Sequence, residues 1–341
     1  ISIVCLLVME VIMLMNCGVP METIVCSVVV PMYNEEEVLS ATVGRLKTVM
    51  EGTGVPWEVI FVNDGSRDRT AELLTQICKD DSRIKLLDFS RNFGHQIAIT
   101  AGMDYASGQC IVIIDGDLQD PPELIPDMMS KWKEGYEIVY GLRISRKGET
   151  YFKLLTAKLF YRTLRLMTDV DIPVDTGDFR LIDRKIADAL KLLPERNRYV
   201  RGLMAWIGYK QTAIEYERSE RFAGTTKYPF KKMLKLAADG ILSFSFKPLK
   251  IATFLGSIIS VGSFLYLIAV LLQRIFAPAS VALGWASLIA ATLLLNGITL
   301  LLLGVMGEYL GRIYAEVKNR PLYLVRGSLN LDEKDPRKSS R

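Results

Sequence analysis

The densest chemistry in the chain lies in "VIIDGDLQDPPEL", residues 112–124. An apolar run passes there into Asp115, Asp117, Asp120 and Glu123, four carboxylates within nine residues, and Pro121 and Pro122 stiffen the exit. Carboxylates this close repel one another unless positive charge sits among them. Oxygen ligands at such spacing suit a hard divalent cation, Mg2+ or Mn2+. Asp115 and Asp117 are two residues apart, so extended backbone would aim them to opposite sides unless Gly116 relaxes the strand. Gln119 offers a further oxygen.

Three other polar clusters each follow an apolar run: "PMYNE" (31–35), "NDGSRDRT" (63–70) and "SRNFG" (90–94). Neither GxxxxGK[ST] nor a GxGxxG after the first strand is present, so the common glycine-rich phosphate cradles are absent and phosphate charge would need a cation. His95, the only histidine, follows Gly94 and reads as support for a helix start rather than as an acid–base group.

The elements that must position these clusters alternate. "CSVVV", "EVIFV", "IKLLD", "CIVII" and "EIVYG" are apolar throughout, with helices expected from Glu35, from Arg69, across 95–106 and from Glu123. Such strands, buried on both faces, indicate an α/β fold with a mainly parallel sheet from about residue 24 to 145. In these sheets ligands bind outside the carboxyl ends of the strands, which is where the polar clusters fall. Asn34, with Glu37 three residues on, is expected to form a capping box. Past 145 the pattern is helical with basic interruptions until "VDTGDFRLIDR" (174–184) breaks it, and "RSERFAGTTKYP" (218–229) reads as a basic linker.

Composition narrows the class. Residues 251–272 and 284–307 carry no charge. At ~1.5 Å per residue, either segment can cross a hydrocarbon core of ~30 Å as a helix. Lys247 and Lys250 precede the first span, and Arg312, Lys318 and Arg320 follow the second, whereas only Arg274 lies between, so both long ends are expected in the cytoplasm. Phe230, Met233, Leu234, Ala237, Ile241 and Phe244 fall at helical spacing, which reads as an interfacial helix on the bilayer across 230–250. Residues 1–23 are apolar but interrupted by Glu10, without the basic start of a signal peptide. With Met21 just before the first strand, they read either as upstream sequence or as an extra membrane helix. A net charge of +4 without a basic, aromatic-interleaved stripe gives no case for nucleic acid. The five scattered cysteines read as reduced thiols, and the tail from about 328 as disordered.

Taken in order, "PMYNEEE", "NDGSRDRT", "SRNFG", "IDGDLQDPPE", "DTGDFR" and "GEYLGRIYAEVKNRPLYLV" resemble the family 2 glycosyltransferases of the polyisoprenyl-phosphate type, over about residues 24–326. That group includes dolichol-phosphate mannose synthase and the bacterial two-span enzymes that load glucose or a related sugar onto undecaprenyl phosphate. The resemblance implies a Rossmann-like GT-A nucleotide-sugar domain at 24–229, followed by the interfacial helix, the two transmembrane helices (251–307) and a cytoplasmic tail (308–341). It implies that Pro31, Tyr33, Glu35 and Asp64 line the base and ribose pocket and that Asp115 faces the nucleotide-sugar donor. Asp117 and Gln119 would hold the Mg2+ or Mn2+ on the diphosphate. Asn63 stands where many relatives have a second Asp, leaving Asp64 as the lone acid there. Asp178 matches the position of the catalytic base, and Arg221 and Lys227, with Arg180 as a further choice, are the candidates for the acceptor phosphate. Glu308, Tyr309, Arg312 and Tyr314 match a family signature and read as docking to the catalytic domain.

A lipid monophosphate has a second pKa near ~6, so the acceptor is already largely anionic at neutral pH. Asp178 is then expected to orient the acceptor, taking a proton only from its minor monoanion. The expected reaction is inverting transfer of a sugar onto undecaprenyl or another polyisoprenyl phosphate at the cytoplasmic face of the inner (plasma) membrane. Glucose from UDP-glucose is the first choice of donor and N-acetylglucosamine the next. Relatives assemble as tetramers, which makes a homotetramer the expectation. A processive polysaccharide synthase is disfavoured, because two spans make a poor channel and no QxxRW-type motif follows "TGDFR". A non-catalytic, membrane-anchored nucleotide-sugar sensor is the third alternative.

Overall fold

The computed structural model describes residues 23–145, 176–193, 195–217, 245, 247–276 and 284–331. The expected N-terminal segment, nearly all of the interfacial helix, and Arg221 and Lys227 lie outside the described residues.

Five apolar runs become strands: β1 (Cys26–Met32), β2 (Trp57–Asn63), β3 (Ile84–Phe89), β4 (Cys110–Ile113) and β5 (Ile138–Ser145). Between them lie α1 (Leu39–Gly52), α2 (Thr70–Asp80), α3 (His95–Tyr105) and α4 (Ile125–Lys133). The chain continues through β6 (Thr176–Asp183), α5 (Arg184–Lys191), α6 (Val200–Ile207) and β7 (Gln211–Glu217). Two long helices, α7 (Lys247–Phe276) and α8 (Trp285–Val317), precede a last strand, β8 (Val325–Leu329).

All eight strands form one sheet in the order β7-β5-β6-β4-β1-β2-β3-β8. The centre is parallel, β4 with β1, β1 with β2 and β2 with β3, while β6 runs antiparallel to both β4 and β5. Alternate residues of β1 face opposite layers. Val28 and Val30 pack against Leu39, Leu46 and Met50 of α1, and Val29 packs with Ala98 and Ile99 of α3. Both faces are therefore core, which is why β1, β2 and β4 show no polar alternation. At about 1.5–3 kcal/mol for each fully buried large apolar side chain, these two layers hold the strand ends in fixed register.

Two expectations fail locally. Asn34 does not cap a helix: its φ is +53°, its Oδ1 accepts from Arg67 N at 2.8 Å, and its own N–H donates to Ser66 Oγ at 3.0 Å. The side chain is committed to the neighbouring strand-end loop, so α1 begins only at Leu39, after a turn in which Glu35 O accepts from Val38 N. Nor does regular structure stop at about 328, since the described residues run on to 331; the rest of the expected disordered tail, 332–341, lies outside them. β8 pairs antiparallel with β3, from Leu86 opposite Leu329 to Phe89 opposite Val325, and Asn330 Nδ2 donates to Cys78 O and Ile84 O. The short, charged strand lacks the apolar run that betrays the others.

The helices α7 and α8 have 30 and 33 residues. At ~1.5 Å per residue each is longer than a ~30 Å hydrocarbon core. Their windows Leu249–Tyr266 and Leu294–Val317 have a mean hydropathy of 1.5 with no part buried, so both are long and apolar enough to cross a membrane. Phe254, Phe264, Leu294 and Leu300 are exposed along them, an apolar surface that water does not favour. Tyr309 OH donates to Ser245 O at 2.8 Å, tying the second helix to the start of the first. Of the cysteines, Cys26, Cys78 and Cys110 are free and buried, as expected.

Candidate active site

The antiparallel entry of β6 builds the site. Ile113 of β4 lies opposite Arg180 of β6. Two residues further along β4 and two back along β6, the same register sets Asp115 opposite Asp178. Both carboxylates therefore meet at the carboxyl end of the parallel strands. His95, at the first turn of α3, completes the group: its Nε2 lies 3.0 Å from Asp178 Oδ2 and 3.4 Å from Asp115 Oδ1. Arg201, in the first turn of α6, approaches Asp178 from the other side, Nε to Oδ1 at 2.7 Å and Nη2 to Oδ2 at 3.0 Å. Gln96 joins the two helices, because its Oε1 accepts from Val200 N at 2.9 Å, satisfying one of the open donors of α6, while its Nε2 reaches Asp178 Oδ2 at 3.4 Å.

Electrostatics follow from this packing. Burial alone would raise the pKa of Asp178, but the charge of Arg201 and the hydrogen bonds from His95 and Arg201 hold it well below the usual carboxylate range. Burial would likewise depress His95, yet Asp115 and Asp178 outweigh it and lift the imidazole to about 9, making it a cation at neutral pH. Asp115 is pushed up to about 6, first by burial, with Asp178, Asp120 and Asp117 adding to the effect against His95. One carboxylate is thus clamped in its charged form beside another that lacks enough positive charge.

Residues 27–191 match the model of glycosyl transferase family 2. The chain is 59% identical over 308 residues to the uncharacterized glycosyltransferase YkcC of Bacillus subtilis, covering 90% of this chain and 95% of that one. It is also 39% identical over 302 residues to an SfII prophage-derived bactoprenol glucosyl transferase of Shigella flexneri, covering 89% and 97%. The chain belongs to glycosyl transferase family 2. The expected family is borne out, and with it the α/β class of the catalytic domain.

The glycosyltransferase offers two settings for a divalent cation. His95, Asp115 and Asp178 present ligand atoms within 4.8 Å of one another. There, both Asp178 oxygens already accept from Arg201, and His95 would have to release its proton before it could ligate. The acidic turn itself fits better. Asp115 Oδ1 is buried and lacks a hydrogen-bond partner among the described residues, and burial, with the neighbouring carboxylates adding to it, raises its pKa. Beyond β4 the backbone turns at Gly116 and Asp117, with Leu118 at φ +58°, so the opposed strand directions expected for Asp115 and Asp117 do not apply.

The structure places the remaining expected residues around this centre. Pro31 is buried at the end of β1, and Tyr33 and Glu35 are half-buried in the loop after it, where Glu35 N donates to Thr70 Oγ1 at 3.0 Å. Asp64 is buried with its carboxylate on the loop after β3, accepting from Phe93 N at 2.6 Å and Gly94 N at 3.0 Å. Asp117 is buried and accepts from Gln119 N at 3.2 Å. Arg180 is buried, its guanidinium donating to Gly177 O and Asp178 O, and burial lowers its pKa to about 10. Asp120 serves packing: it is fully buried and accepts from Tyr216 OH, with Arg143 Nη2 at 3.4 Å. Glu123 is paired with Arg45 of α1 at 2.7 Å.

His95 starts α3 as expected, and its ring is also in contact with both site carboxylates. Its uniqueness directly after a strand-end glycine was the available signal. Arg201 carried none, lying 23 residues beyond Asp178 in an unremarked helix.

Proposed function

We propose that this glycosyltransferase moves a single sugar, glucose from UDP-glucose in the first instance, onto undecaprenyl or another polyisoprenyl phosphate at the cytoplasmic face of a membrane. The observation that carries the reading is Asp178, held as a carboxylate by Arg201 and His95 directly across from Asp115. The bactoprenol glucosyl transferase named above supports the acceptor class, because the similarity extends over nearly its whole length and so includes the two apolar helices.

In this scheme Pro31, Tyr33, Glu35 and Asp64 hold the nucleoside, and Asp115 faces the sugar diphosphate. The present Asp117 and Gln119 are the ligands proposed for Mg2+ or Mn2+, which when bound would neutralise charge on the leaving diphosphate. The acceptor phosphate oxygen bonds to the anomeric carbon as the bond to the diphosphate oxygen breaks, and the electron pair leaves with the nucleoside diphosphate. One displacement by the acceptor phosphate inverts the anomeric centre and needs no covalent intermediate. Asp178, held as a carboxylate, orients the acceptor, whose prevailing dianion attacks without a base. Arg201 and His95 keep Asp178 from repelling the incoming phosphate, which Arg221 and Lys227 receive. Arg180, buried two residues further along β6, donates to the backbone oxygens of Gly177 and Asp178.

The reading is tested by incubating the full chain in vesicles with labelled UDP-glucose, Mn2+ and undecaprenyl phosphate. A lipid carrying one sugar, formed with Mn2+ and lost with EDTA, is the expected product. Long products would favour a processive synthase, and nucleotide-sugar binding without turnover a sensor.

A further inference from the structure

The two cations that hold Asp178 start helices whose preceding loops are gripped by the end of α8 and the segment after it. Toward His95, β8 runs antiparallel to β3, which brings Leu324 and Arg326 to the loop 90–94. Leu324 O accepts from Ser90 N at 2.9 Å, and Arg326 Nη2 donates to Ser90 O at 2.8 Å, so both backbone groups of Ser90 are bracketed. Tyr323 is buried and stacks on Phe89 at 5.2 Å, and Phe89 meets Phe93 edge-on at 5.6 Å. The Tyr323 hydroxyl donates to Asp104 Oδ2 at 3.1 Å, near the far end of α3. The helix that carries His95 is thus held at both ends.

Toward Arg201, Glu316 Oε1 accepts from Arg196 N at 2.8 Å and Asn319 Oδ1 accepts from Arg196 Nη2 at 2.7 Å. Arg196 belongs to the loop that leads into α6. A third link runs toward Asp64, because Arg326 lies 3.7 Å from Asp88, and Asp88 accepts from Asn63 Nδ2 at 2.6 Å.

We propose that residues 316–330 form a positioning clamp for the transfer reaction, in which Glu316, Asn319, Tyr323 and Arg326 set Arg201 and His95 around Asp178. The inference rests on the proposed function of that site. None of the four hydrogen-bonds Asp178 in the contacts described above; they are positioning residues, and their effect passes through the loops. The seating of α8 and the assembly of the site become one event. Buried cores respond to such shifts in discrete steps rather than by smooth deformation, which lets a contact at Ser90 reach the imidazole of His95 at the end of the same loop.

The single histidine makes the clamp observable without turnover. The imidazole resonances of His95 are read at one fixed pH in the full chain labelled at histidine, alongside kcat and KM for the donor. Arg326→Ala and Tyr323→Phe are expected to shift the His95 resonances and lower kcat by about ten-fold, a scale that sub-ångström misplacement readily reaches. Arg326→Lys restores both in part. Lys131→Ala, which removes an exposed ion pair to Glu134 at the end of α4, moves neither. The clamp is overturned if Arg326→Ala and Tyr323→Phe, both folded, leave the resonances and kcat at wild-type values, or if Lys131→Ala changes them equally. Should the wild-type chain transfer no sugar to a polyisoprenyl phosphate, the proposed function fails, and the resonance shift alone still decides the clamp.

Discussion

Arg201 grips Asp178 with two nitrogens, Nε at 2.7 Å from one carboxylate oxygen and Nη2 at 3.0 Å from the other. The fork satisfies a buried anion with charge and geometry together, which a lysine ammonium cannot do. Arg201→Ala leaves that anion short of positive charge and is expected to destabilise the fold by about 3–5 kcal/mol. Arg201→Lys should keep most of that stability yet lose transfer activity by more than about ten-fold. Thermal melts beside turnover check the pair; wild-type kcat in either folded variant contradicts the role.

His95 supplies a pH prediction. Its folded pKa, about 9, is above the ordinary value of 6.5. The stability it contributes is therefore fully present below about 6.5 and lost as pH rises through 9. In metal-free protein the imidazole resonances should stay those of the cation through pH 8 and titrate near 9. A midpoint near 6.5 would show that Asp115 and Asp178 do not hold it charged.

Asp117→Asn should abolish metal-dependent transfer while the protein remains folded and membrane-bound. Manganese binding followed by electron paramagnetic resonance separates loss of the ligand from loss of the fold. Retained, EDTA-sensitive activity would move the metal assignment elsewhere.

Gly65 has φ +65°, and a Cβ there would meet the Arg91 carbonyl carbon at 2.4 Å and Asn92 N at 2.6 Å. Those are backbone atoms of the loop that Asp64 also holds, so no rotamer relieves the clash. Gly65→Ala should push apart the loops after β2 and β3 and cost about 2 kcal/mol or more in backbone strain and displacement. A raised donor KM with weaker nucleotide protection in thermal shift is the expected result; an unchanged KM would remove this loop from the donor pocket.

The parallel centre of the sheet was legible because its strands are apolar on both faces, and the polar clusters at their ends announced where ligands bind. Asp178 was legible only through motif resemblance. The contacts among Asp178, His95 and Arg201 were not, since they join residues 83 and 23 apart through the pairing of β6 with β4. Local pattern also misled at Asn34, where a tertiary bond to Arg67 replaced the cap that the spacing offered. β8 is short and carries Arg326 and Ser328, and it is fixed by its neighbour Ser90 rather than by its own propensity.

The central claim is that Asp178 serves transfer of a sugar to a polyisoprenyl phosphate. The direct measurement compares wild-type and Asp178→Asn chains for label moved from UDP-glucose into undecaprenyl phosphate, with UDP binding followed in parallel by thermal shift. The account predicts donor binding in both and, in the variant, transfer below about one hundredth of wild type. A folded, UDP-binding Asp178→Asn protein that transfers sugar at the wild-type rate would contradict it.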